Sequence, residues 1–180
     1  MQPDGSILEL CHVTRDLDAA LRHWTRDLGA GPFFVFDVPV LPGQTYYGSP
    51  TEVSMRVAFG FSGGMLIELL QQTNDGASPF RDFIEERGEG LHHVMPRGDY
   101  DANVARLSAA GHDIAYAGQM PSGERFCLYD TRAVNGAYVE FMELSDAMTG
   151  SMAAMARAHS EWDGKTEPVR TIDRLAEYIG

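Results

Sequence analysis

Residues 7–14 read I-L-E-L-C-H-V-T, a short apolar run with β-branched members that predicts a strand. Asp16 and Asp18 then offer capping carboxylates, and Ala20, Leu21, Trp24 and Leu28 recur at helical spacing, so a helix is expected over 18–28, ended by Gly29 and Gly31. Aromatic and β-branched residues predict a strand over 33–38. Three prolines, two glycines and the pair Tyr46-Tyr47 make 39–50 a loop. Strands over 53–61 and 65–71 flank a Ser62-Gly63-Gly64 hairpin turn. A linker, 73–90, carries a short helix over 79–87. The order then restarts: a strand over 91–95, a helix over 100–110 closed by Gly111, strands over 113–116 and 125–129, an Asn135-Gly136 turn, and a last strand over 137–144. Residues 1–72 and 91–145 are thus two tandem βαβββ modules, an α+β fold with a mixed sheet, followed by a helical extension over 146–180.

The repeat extends to chemistry. Cys11-His12-Val13 in the first opening strand corresponds to His92-His93-Val94 in the second, and the Glu68 and Glu140 strands correspond likewise. A strand-interior glutamate between apolar residues is costly if its face is buried, unless it is paired or binds metal. Two such glutamates and two histidines at repeated positions point to one divalent transition metal (Zn, Ni, Co, Mn or Fe) held by His12, Glu68, His93 and Glu140. In a regular strand His92 faces away from His93, so the repeat selects His93. Glu9 and Glu143 are off the metal-facing parity and are expected to face solvent; His23, His112 and His159 are expected at the surface, and Met148, Met152 and Met155 as packing residues of the tail.

Charge and composition narrow the setting. A net charge of −12 argues against nucleic acid and anionic membrane surfaces as partners. No apolar run is long enough for a membrane helix, and Met1-Gln2-Pro3-Asp4-Gly5 lacks the pattern of a signal peptide, which predicts a cytoplasmic protein. Cys11 and Cys127 each sit in an apolar strand and are expected as buried free thiols.

The segments C-H-V-T-R-D-L-D-A-A-L, G-L-H-H-V and N-G-A-Y-V-E-F-M-E resemble the vicinal oxygen chelate superfamily of glyoxalases, methylmalonyl-CoA epimerases, extradiol dioxygenases and bleomycin-resistance proteins, over about residues 7–145. The resemblance implies a cup-shaped sheet around a metal ligated from the first and last strands of each module. Two His and two Glu resemble the glyoxalase and epimerase members. This implies a metal-dependent isomerase or lyase that moves a proton next to a carbonyl of a small-molecule substrate, with Glu140 and Glu68 as the catalytic carboxylates. The alternatives within the superfamily are an Fe(II) or Mn(II) ring-cleaving dioxygenase and a non-catalytic binding protein. The third strand of the first module reads V-S-M-R-V-A-F and holds no acid, a departure from the epimerase pattern. A homodimer is also implied. Expected substrate-binding residues are Tyr138 and Met142, on the face of Glu140, Tyr47 on the rim loop, and Arg56 for a carboxylate or phosphate.

Overall fold

The structure, a computed structural model, describes residues 3–179; Met1, Gln2 and Gly180 lie outside the described residues. The first β-α-β-β-β series is β1 (Ile7–Val13), α1 (Leu17–Arg22), β2 (Phe33–Val38), a small hairpin of β3 (Thr45–Tyr46) and β4 (Ser49–Pro50), then β5 (Met55–Ser62) and β6 (Met65–Gln72). Helix α2 (Pro79–Arg87) leads to the second series, β7 (Gly90–Pro96), α3 (Tyr100–Ala109), β8 (Ile114–Gln119), β9 (Arg125–Tyr129), α4 (Arg132–Asn135) and β10 (Tyr138–Met142). The tail is α5 (Asp146–Glu161), β11 (Val169–Thr171) and a 3₁₀ turn, Ile172–Tyr178. All strands join one mixed sheet in the order β11-β2-β5-β6-β1-β7-β10-β9-β8-β3-β4, curved but not closed. The two series meet where β1 runs antiparallel to β7, and in each the first and last strands pair in parallel, β1 with β6 and β7 with β10.

Local chemistry sets the element ends. Asp16 accepts from the Ala19 amide at 2.9 Å and Asp99 from that of Ala102 at 2.8 Å, capping α1 and α3. Helix α1 continues as one π-helical turn, His23–Asp27. The proline at 96 ends β7 as its missing amide requires. The expected Asn135-Gly136 turn is the end of α4, with Gly136 in the left-handed region at φ 80°.

Both faces of the sheet are covered. On the convex side Leu17 and Leu21 pack with Phe33, Ala58, Ile67 and Leu69, while α3 packs Tyr100, Val104 and Leu107 on Cys127, Tyr129 and Phe141. On the concave side Cys11, Val13, Val57, Leu70, Phe126 and Leu128 converge. The tail closes one end of that side, with Ala154, Met155 and Ala158 packed on Phe34, Phe61 and Leu66. His159, expected at the surface, is half-buried in this contact, its Nδ1 2.5 Å from the Gly31 carbonyl oxygen. Strand β11, absent from the sequence expectation, extends the sheet edge alongside β2. Cys11 and Cys127 are buried free thiols on opposite faces. No helix among the described residues is long and apolar enough to cross a membrane.

The packing under α1 leaves no slack. A Cβ at Gly60 would stand 2.8 Å from the ring of Phe33, which is fully buried. Gly60→Ala is expected to destabilise by ~1–3 kcal/mol in urea unfolding.

Candidate metal centre

Four side chains meet at the floor of the concave face: Glu9 from β1, Glu68 from β6, His93 from β7 and Glu140 from β10. The His93 Nε2 lies 3.0 Å from Glu140 Oε2, 3.4 Å from Glu68 Oε2 and 3.8 Å from Glu9 Oε1. All four residues are at most 8 % exposed. Cys11 shares the face, its Sγ grouped with ligand atoms of Glu68 and His93.

Of the expected ligands, the structure brings together Glu68, His93 and Glu140, and it does not bring His12 to them. The His12 ring packs edge-on against Trp24, centroids 5.1 Å apart, on the convex side under α1, where burial lowers its pKa. Strand alternation explains this. Cys11 is level with both Glu68 and His93, so residues 9, 11 and 13 face the cup and residue 12 faces the helix. Glu9, expected in solvent, takes the vacant place and is 3 % exposed. The ladder registers make the equivalence explicit. Glu9 pairs with Leu66, two residues before Glu68, as His93 pairs with Tyr138, two residues before Glu140. The signal for Glu9 was in the sequence, since Leu8 and Leu10 flank it as Ile67 and Leu69 flank Glu68.

Strand β7 carries a bulge at His92. Cys11 pairs with His93 but His12 with Leu91, so His92 is an extra residue with no partner of its own. The strand is therefore not regular, and His92 does not turn to the opposite face as expected. Its fully buried ring stacks on Tyr138 at 4.7 Å, lies against Phe80 and Phe83, and places its Nδ1 2.9 Å from the Nδ1 of His93. Burial, together with the neighbouring His93, holds His92 well below its ordinary pKa.

Three buried carboxylates around one imidazole are costly as ions. Burial pushes Glu9 up to about 8; the nearby His93 opposes the rise, and the charges of Glu68 and Glu140 add to it. The His93 Nε2 is buried without an aligned hydrogen-bond partner. An orphaned ring nitrogen facing convergent carboxylates fits a divalent cation, with Glu9, Glu68, His93 and Glu140 as its holders. Metal ligation at Nε2 requires the proton on the Nδ1 of His93, donated to His92, which fixes ring and tautomer together.

Above the floor opens a cavity of about 330 Å³. Met142, expected to contact substrate, is among its lining residues. Met148, Met152 and Met155, expected only as packing residues, also line it from α5. The remaining expected contacts lie elsewhere. Arg56 points to the convex side and pairs with Asp18 at 3.0 Å. The Tyr47 hydroxyl donates to Asp130 at 2.6 Å, within a network that includes Arg132. Tyr138 is fully buried between His92 and the Arg132 guanidinium. Arg56→Ala is expected to leave ligand binding unchanged in titration calorimetry. Glu143, expected in solvent, is half-buried and bonds Arg125.

A family model described as the glyoxalase, bleomycin resistance protein and dioxygenase superfamily matches residues 10–128, and the chain belongs to this superfamily. Among solved structures, it is similar to a hypothetical protein from Bacillus halodurans C-125, with TM-score 0.57 and 20 % identity, covering 78 % of this chain and 95 % of that one. A methylmalonyl-CoA epimerase from Streptomyces coelicolor, in complex with 2-nitronate-propionyl-CoA, aligns with TM-score 0.54 and 20 % identity over 80 % of this chain and 97 % of that one. A methylmalonyl-CoA epimerase from Mycobacterium tuberculosis aligns with TM-score 0.53 and 18 % identity over 83 % and 95 %. At these identities the likeness is one of fold. A comparison with curated protein sequences finds no match.

Proposed function

We propose that this chain is a metal-dependent isomerase or lyase of the glyoxalase type, acting at a carbon next to a carbonyl of a small molecule. The observation that carries the reading is the buried set of Glu9, Glu68, His93 and Glu140 at the floor of a cavity. A divalent cation bound there would act as a Lewis acid on the substrate oxygens. Glu140 takes the proton from the carbon, the C–H electron pair shifts toward the carbonyl, and the proton returns at the same or the adjacent carbon. Glu68, whose carboxylate also stands 3.4 Å from the His93 nitrogen, returns it. The apolar walls exclude water, which keeps the proton between substrate and carboxylate.

The donor set also bears on the alternatives. A ring-cleaving site of the two-His-one-carboxylate kind needs a second imidazole, and His12 faces away. Three carboxylates and one imidazole favour oxygen-seeking metals, so Mn(II) or Fe(II) is expected in greater amount than Zn(II) in protein purified without chelator, read by elemental analysis. His92→Phe is expected to weaken that binding ~10- to 100-fold in metal titrations, because His93 loses the partner that fixes its tautomer. In deuterated buffer the metal-loaded protein should remove the NMR signal of protons next to the carbonyl in a panel of ketones, hydroxyketones and diketones. Failure to bind any transition metal sinks the reading; binding of ketones without exchange favours the non-catalytic binding protein.

A further inference from the structure

The cavity separates its chemistry into two parts. Among the described residues its only charged or titratable carboxylate and imidazole groups are the four at the floor, and none of its wall residues is a lysine or arginine. Seven of the chain's nine methionines line it, joined by aromatic and branched residues such as Phe36, Phe59 and Leu128. Methionine is flexible and polarisable, and suits irregular apolar shapes. One wall residue is polar and unsatisfied: the Tyr116 hydroxyl is buried with no hydrogen-bond partner. The whole chain has a net charge of −12, so no long-range field offsets the lack of cations near the cavity.

We propose that the substrate class is a neutral, predominantly apolar carbonyl compound, with its oxygens at the acidic floor, its hydrocarbon body against the methionine walls, and no anionic group within the cavity. The cavity volume of about 330 Å³ sits at the lower end of the ~300–1,000 Å³ common for small-molecule sites. Helix α5 forms part of the wall through Met148, Ser151 and Met152, so the tail sets the shape of the apolar end. An anion placed there would lose its hydration and meet no counter-charge. Thioesters carrying phosphate or free carboxylate groups are thereby disfavoured inside the cavity. The inference deepens the isomerase reading and rests on it for which end of the molecule reacts.

Displacement of the neutral dye Nile red tests it. The competitors are 2-hexanone, 2-octanone and 2-decanone, with 9-oxodecanoate, which matches 2-decanone in length and ketone but ends in a carboxylate. Affinity is expected to rise about fourfold per added methylene, and 9-oxodecanoate to bind about 100-fold more weakly than 2-decanone, as burial of an unpaired charge requires. Met148→Lys, at a half-buried wall position where a lysine reaches water, should narrow that ratio at least tenfold while retaining the circular dichroism spectrum. Equal binding of ketone and oxoacid by the unsubstituted protein, or no dependence on chain length, overturns the proposal. Each titration is run on protein as purified and after chelator. A chain-length series that persists in a protein unable to bind metal refutes the isomerase reading alone; a metal-loaded protein that prefers the oxoacid refutes this proposal alone.

Discussion

Glu140→Gln is expected to lower metal-dependent α-proton exchange by about 10²- to 10⁴-fold, the usual worth of a positioned general base. The substitution keeps the shape of the side chain and an oxygen donor, but the amide cannot accept a proton near neutral pH. The fold should survive. Glu140 is one of three carboxylates buried around His93, and replacing one by a neutral amide removes like-charge repulsion from the metal-free protein. Against that stands the loss of the 3.0 Å ion pair with His93, so the metal-free variant should unfold at close to the parent's urea concentration. Loss of exchange without loss of stability separates a proton-transfer role from a structural one. Exchange within a few-fold of the parent would remove Glu140 as the base and leave Glu68 as the candidate.

The second large effect separates two residues three positions apart. Glu9→Ala should lower metal affinity by about 100-fold or more, since even partners of metal ligands cost ~10–100-fold when removed. His12→Ala should leave metal stoichiometry and affinity as they were, because its ring stands against Trp24 on the other side of the sheet. Its effect belongs to stability, through lost packing under α1. Elemental analysis and competition with a metal indicator read both variants. Metal loss in His12→Ala with retention in Glu9→Ala would show that β1 presents its other face to the cup.

That pair of residues also marks where local pattern stops being enough. On β6 the sequence reads Leu66-Ile67-Glu68-Leu69-Leu70, apolar on both faces, because the sheet is covered by helices outside and encloses an apolar cup inside. β1 is similar, with Leu8 and Cys11 both buried though they face opposite sides. When both faces are buried, hydrophobic alternation no longer says which side is which. The chemically similar runs Cys11-His12-Val13 and His92-His93-Val94 are then offset in space by three residues, with Glu9 standing in the first series where His93 stands in the second. A glutamate between branched aliphatic residues marks Glu9, between Leu8 and Leu10, as much as Glu68, between Ile67 and Leu69.

The sequence by itself determined the doubled order of elements, the helix cap at Asp16, the two free thiols and three of the four side chains that meet at the cup floor, since these depend on local spacing, backbone geometry and repetition. Only the tertiary structure decided that Glu9 joins Glu68, His93 and Glu140 at the cup floor, that Arg56 and Tyr47 stand outside the cavity, and that the methionines of α5 line its wall. The reason is physical. Which face a strand shows to the cup is fixed by its hydrogen-bond register with β6 and β7, and a bulge shifts that register without any change in the hydrophobic run. Where the tail rests depends on apolar contacts between residues more than a hundred positions apart, such as Phe34 and Met155, which no local window contains.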